Sequence, residues 1–222
     1  MNINKKTSKM WKILLDVLFP IHQNQAFLNN LTTEKFISLT NPAKIPPIPN
    51  TISIVSYRNR FVKKTLWSLK FKNNHQIAKL FAEVIYDNLI EELSNLKLTA
   101  NFDNPILVVI PLSRQRKRTR GYNQVDLIAR AIEELDQNNF LEYRRNILKK
   151  VKDTPQQSRA KNKQERLKNL KNCFKVTNFE TIRNRNIILL DDITTTGATL
   201  IEATQTLKSA KPKQILCVTL AH

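Results

Sequence analysis

The chain has 222 residues, 41% of them hydrophobic, enough to bury the core of one domain with an appendage. Its 37 lysines and arginines against 18 acids leave a net charge of +19, a field that attracts polyanions, nucleic acid included, in a salt-dependent way. No stretch approaches the length of a transmembrane helix, and the two cysteines, Cys173 and Cys217, stand far apart among apolar neighbours, which argues against a disulfide framework.

Taken in order, residues 10–19 (MWKILLDVLF) have the pattern of an amphipathic helix that stops at Pro20. No small-residue cleavage site follows, so the segment is not read as a signal peptide. Pro42, Pro46, Pro47 and Pro49 then make a stiff linker, and a domain boundary is expected near Asn50. Residues 51–57 (TISIVSY) alternate like a strand. Residues 58–71 carry Phe61, Val62, Leu66 and Leu69 at helical spacing, with cations on the remaining positions. Such a basic, aromatic-bearing helix can lie along a phosphate backbone or simply present a solvated face. A longer helix is expected over 75–93; His75, at its start, is given no role.

Residues 106–110 read as a buried strand, followed by Pro111, Leu112 and the run SRQRKRTRGYNQ. Arg114, Arg116, Lys117, Arg118 and Arg120 crowd this run, predicted to be a basic loop before a helix from about residue 123. Repulsion among them disfavours a compact loop unless a pyrophosphate or a nucleic-acid backbone neutralises it. Residues 147–176 are again basic, with a TPQQ turn and a helical arm expected to end near Phe174; a polar loop over 178–185 comes next. The apolar run 187–190 (IILL) predicts a strand buried on both faces. Asp191 and Asp192 follow it, then the turn TTTGAT and a helix over 200–207. A last strand, 214–220, is expected to close the sheet. Repetition of strand, loop and helix implies a mainly parallel sheet flanked by helices.

The stretch 187–200 suits a phosphorylated sugar. Backbone amides and hydroxyls of the loop can wrap a phosphate at a helix N-terminus, and Gly197 allows the unusual dihedrals this requires. The two carboxylates can accept hydrogen bonds from ribose hydroxyls. This pattern resembles the phosphoribosyl-pyrophosphate (PRPP) motif of type I phosphoribosyltransferases. With LLDVLFP, SYRNRFVKKTLWSLKF, RGYNQ, and TPQQ followed by ERLKNLKNCF, the chain resembles the ComF-type competence proteins over most of residues 51–222.

The resemblance implies a type I phosphoribosyltransferase-like α/β domain over 51–222. Residues 1–50 would be the counterpart of the family's N-terminal zinc module. That module takes four cysteines, and the corresponding text IHQNQAFLNNLTTEKF has none and a single His22, so no structural zinc is expected. Asp191 and Asp192 would hold the ribose hydroxyls, directly or through Mg²⁺. Thr195, Thr196, Gly197, Ala198 and Thr199 would cradle the 5′-phosphate. Ser113, Arg114, Arg116, Lys117, Arg118 and Arg120 would face pyrophosphate or nucleic acid. Tyr122 and Trp67 are candidate base-stacking platforms, with core packing the alternative for Trp67.

The implied role is cytoplasmic handling of incoming single-stranded DNA in natural transformation, at the inner face of the inner membrane beside the uptake machinery. Two alternatives stand beside it: an active phosphoribosyltransferase acting on a small nucleophile, and a PRPP-sensing nucleic-acid-binding regulator. The first alternative needs a hood over the acceptor, and none is evident in the first 50 residues.

Overall fold

The computed structural model describes residues 27–153 and 169–222. The expected helix over 10–19, His22, and the TPQQ turn with most of the basic arm lie outside them. In chain order the elements are α1 (Thr33–Ser38), β1 (Thr51–Val55), α2 (Arg60–Lys72), α3 (His75–Ala100), β2 (Ile106–Val109) and α4 (Arg114–Arg120). There follow α5 (Gln124–Leu135), β3 (Glu142–Tyr143), β4 (Leu148–Lys150), β5 (Phe174–Val176), α6 (Phe179–Ile182), β6 (Asn186–Ile193), α7 (Ala198–Lys208) and β7 (Gln214–Ala221).

Five strands form one parallel sheet in the order β1–β7–β6–β2–β3. The strand expected to close the sheet, β7, instead lies inside it, with β1 on its outer side. Its burial explains this: residues 216–221 of β7 are all buried, whereas β1 buries only Val55. Strand β6 takes the centre because its side chains are apolar on both faces. Ile188 and Leu190 enter one hydrophobic cluster with α2, α3 and α5, while Ile187 and Leu189 enter a second with α7 and the β4–β5 ribbon. Pairing of β6 with β7 runs on through Asp191 and Ile193, so both aspartates sit in the strand itself.

The segment before β1 joins the first cluster. Phe36 of α1 is fully buried with its ring 5.5 Å from that of Phe81, and the Ala43 amide donates to the Ile54 carbonyl. Where an arm ending near Phe174 was expected, Phe174 opens β5, which pairs antiparallel with β4.

Left-handed backbone is carried here by asparagine. Asn50, Asn73, Asn101, Asn104, Asn139, Asn146, Asn172 and Asn184 all have positive φ, together with Lys211 and the two glycines. A short polar side chain tolerates this region better than most, and two of these residues, Asn73 and Asn101, terminate α2 and α3.

Candidate phosphoribosyl site

A cleft of ≈ 380 Å³ opens at the carboxyl end of β6, lined by Tyr57, Lys70, Arg116, Asp192 and residues 193–200. This is where open parallel sheets take ligands. Asp191 and Asp192 are both buried. The Asp192 amide donates to Asp191 Oδ1 at 2.8 Å. Lys70 Nζ, from the last turn of α2, lies 2.7 Å from Asp192 Oδ2, and Gln124 Nε2 donates to the same oxygen at 3.1 Å.

These neighbours drive the two acids apart. Burial, reinforced by the charge on Asp192, lifts the Asp191 carboxyl well above the ordinary aspartate range. Burial opposes charge on Asp192 as well, but the Lys70 ammonium and the Gln124 amide outweigh it and hold that carboxyl low. From β4, Lys150 adds an ammonium held below the usual lysine range by burial; Asp191 and Arg116 both lie within its electrostatic reach.

The loop after β6 is built to expose amides. Among the described helices, α1 to α6 are N-capped by the side chains of Thr32, Asn59, Asn74, Ser113, Asn123 and Asn178. Helix α7 alone begins on a residue with no side chain, Gly197 at φ +76°, and has no side-chain cap. The first-turn N–H groups of α7 are thus left without that partner at the cleft. A Cβ on Gly197 would stand 2.0 Å from Cδ1 of Ile48, so the proline-rich segment braces the loop from behind. The Thr194 hydroxyl is buried and lacks a hydrogen-bond partner, an orphaned polar atom where a ligand oxygen can serve. Thr195 is exposed and Thr196 half-buried.

The run 114–120, expected as a loop, is helix α4. Ser113 accepts from the Arg116 amide as its cap, and Gly121, left-handed at φ +81°, ends it. Helical spacing relieves the repulsion that argued for a loop. Arg116 and Arg120, one turn apart, are half-buried towards the site, while Arg114, Lys117 and Arg118 share an exposed face. The six residues expected to act together therefore divide: Arg116 lines the cleft, Arg120 donates to Gln124 Oε1 at 3.1 Å, Ser113 is a cap, and three cations face solvent.

Tyr122, a candidate stacking platform, is half-buried and anchored through its hydroxyl. Its hydroxyl donates to the Leu69 carbonyl at 2.6 Å and accepts from the Asn73 amide at 2.8 Å, fastening the end of α2 that carries Lys70. The other residues of RGYNQ serve the same corner. Asn123 caps α5 and donates to the Ile110 carbonyl, and Gln124 orients Asp192. Sequence reasoning missed Lys70, Gln124 and Ile48 as site residues. For Gln124 the RGYNQ motif was an available signal and for Lys70 the SYRNRFVKKTLWSLKF motif; Ile48 comes from a distant segment with none.

Both cysteines are free and buried, which pushes the Cys173 thiol up to about 11. Among the described residues no group of three or more histidines, cysteines and acids can hold a metal. The carboxylate pair fits a hard cation such as Mg²⁺, which is typically bound by one or two carboxylates and completed by water and substrate phosphates. No helix among the described residues is long and apolar enough to cross a membrane.

Residues 118–222 match the family model described as phosphoribosyl transferase domain. The chain is 32% identical to Competence protein F of Haemophilus influenzae over 149 residues, covering 66% of this chain and 61% of that protein. It is 33% identical to Competence protein ComFC of Bacillus subtilis over 148 residues, covering 67% and 53%. DNA utilization protein YhgH of Escherichia coli K12 is 25% identical over 178 residues, covering 79% and 74%. The chain thus spans less than two thirds of the length of the first two relatives. Among solved structures, a hypoxanthine phosphoribosyltransferase from Staphylococcus aureus aligns over 64% of this chain and 62% of its own, at 17% identity and a TM-score of 0.34.

Sheet, strand-end acids and matched domain define a protein of the type I phosphoribosyltransferase fold. Within that class, the chain is similar to the ComF-type competence proteins.

Proposed function

We propose that this protein handles incoming single-stranded DNA in natural transformation and binds PRPP or a related phosphoribosyl ligand in the cleft at the end of β6. The observation that carries the ligand assignment is one cleft lined by buried Asp192 and the uncapped N-terminus of α7, with buried Asp191 next to Asp192 in β6. The DNA role is supported by the relatives' names, Competence protein F, ComFC and DNA utilization protein.

In this reading the amides at the start of α7 and the hydroxyls of residues 194–199 hold the 5′-phosphate. Asp191 and Asp192 face the ribose hydroxyls, with Mg²⁺ supplying charge to neutralise the pyrophosphate. Lys70 and Arg116 line the same cleft and add cations for the phosphates. Gln124 keeps Asp192 oriented. The protein would act in the cytoplasm at the inner face of the membrane, beside the uptake machinery.

Calorimetric titration of PRPP with Mg²⁺, with and without a single-stranded oligonucleotide, tests the reading. Binding that requires Mg²⁺, disappears in Asp191→Asn and changes when DNA is present is the expected result. Absence of PRPP binding by the wild type would overturn the ligand assignment. Indifference to DNA, with pyrophosphate released in the presence of a base or ammonia, would replace the proposal with transferase activity.

A further inference from the structure

Helix α2 presents an aromatic edge that neither the core nor the cleft uses. Phe71 is 58% exposed, and its ring centroid lies 5.5 Å from that of half-buried Trp67. Each ring carries a cation on its face: Lys72 Nζ is 5.6 Å from the Trp67 centroid and Arg120 Cζ is 5.2 Å from that of Phe71. Neither α2 nor α4 contains a single acidic residue. Rings and cations on two helices that carry no acid of their own are complementary to a polyanion that also offers flat apolar faces. Unstacked nucleic acid has both, whereas a duplex presents its phosphates and keeps its base faces stacked.

The edge also adjoins the site. Arg120, stacked on Phe71, donates to Gln124, which donates to Asp192; Lys70, the residue before Phe71, pairs with the same carboxylate. We infer that Trp67 and Phe71, with Lys72 and Arg120, form a stacking track for single-stranded DNA that runs up to the cleft. Two bases would lie against the two rings while the cations take the intervening phosphates. The exposed cations of α4 extend the electrostatic footprint from Arg120. This inference rests on the single-strand role proposed above and locates it.

The test uses the full chain with Trp11→Phe, which leaves Trp67 as its one indole. Titration with fluorescein-labelled oligo(dT) should quench Trp67 emission. Phe71→Leu, which keeps an apolar side chain but removes the ring, should weaken the oligonucleotide by about tenfold, the loss of one stacked base. Its PRPP affinity and thermal midpoint should stay at the parent's values, and Phe71→Tyr should restore oligonucleotide binding. Full affinity in Phe71→Leu without Trp67 quenching would overturn the track while leaving single-strand binding intact elsewhere. Equally tight binding of duplex DNA, undiminished by the substitution, would overturn stacking as the mode. A parent that binds no oligo(dT) at all would refute the DNA role itself.

Discussion

Gly197 and Ile48 make a pair whose energetics follow from two distances and one angle. Alanine at 197 must hold φ near +76°, which costs about 1–2 kcal/mol for a residue with a Cβ. That Cβ would also stand 2.0 Å from Ile48 Cδ1 and 2.4 Å from Cγ1, where carbon atoms rest at about 3.5–4.0 Å. Relieving such an overlap costs a further ~1–3 kcal/mol. Gly197→Ala should therefore lose about 3 kcal/mol, a large part of the ~5–15 kcal/mol that holds a typical domain. Ile48→Ala alone gives up part of a half-buried side chain, about 1–2 kcal/mol.

The double variant separates the two causes. With Ile48 truncated, the steric part of the Gly197→Ala penalty disappears and the dihedral part stays. Urea unfolding followed by far-UV circular dichroism should give a favourable coupling of about 1–2 kcal/mol between the positions. Additivity to within about 0.5 kcal/mol would mean that Ile48 does not brace the loop, and the steric account of this glycine would be wrong. PRPP titration on the same proteins should show Ile48→Ala weakening the ligand, because the α7 amides lose their backing.

Lys70→Met should destabilise the protein by about 3 kcal/mol, because Asp192 keeps a buried charge with its ammonium removed; urea midpoints measure it. Tyr122→Phe should cost about 1–3 kcal/mol by orphaning the Leu69 carbonyl and the Asn73 amide, with hydrogen exchange at Asn73 rising first. Affinity for PRPP with Mg²⁺ should rise with pH through the lifted Asp191 range, since the ligand needs that carboxylate ionised; calorimetric titration of the wild type across that range measures it. The stability term has the opposite sign. A carboxyl raised in the fold contributes fully below its unfolded value and loses that contribution as pH rises through the folded one, so wild-type urea midpoints should fall over that window.

What could be read from the sequence was what is local in it. The run IILLDDITTTGAT holds strand, acids, glycine and helix start in consecutive residues, so its burial and turn chemistry needed no partner to be recognised. The second side of the cleft is assembled from afar. Lys70 reaches Asp192 across 122 positions of chain and Gln124 across 68, and nothing in the two separate motifs that hold them says that they meet at one carboxylate. Helix α4 was hidden by its charge, because repulsion was weighed without the rotation that places Arg116 and Arg120 on one side. The β4–β5 ribbon has three residues per strand, with two lysines in β4 and one in β5, too short for an alternation to register.

The left-handed asparagines set how this protein ages. Asparagine loses its side-chain amide when the next residue's backbone nitrogen attacks it, fastest when that residue is glycine, and it is among the thermolabile residues for this reason. Neither glycine of this chain follows an asparagine: Arg120 precedes one and Thr196 the other. Asn104 is followed by Pro105, which has no N–H to attack with, and Asn50, Asn101, Asn146 and Asn184 are followed by residues with bulky side chains. A chain nearly without glycine thus turns its corners with a perishable residue while keeping away the neighbour that would spoil it soonest.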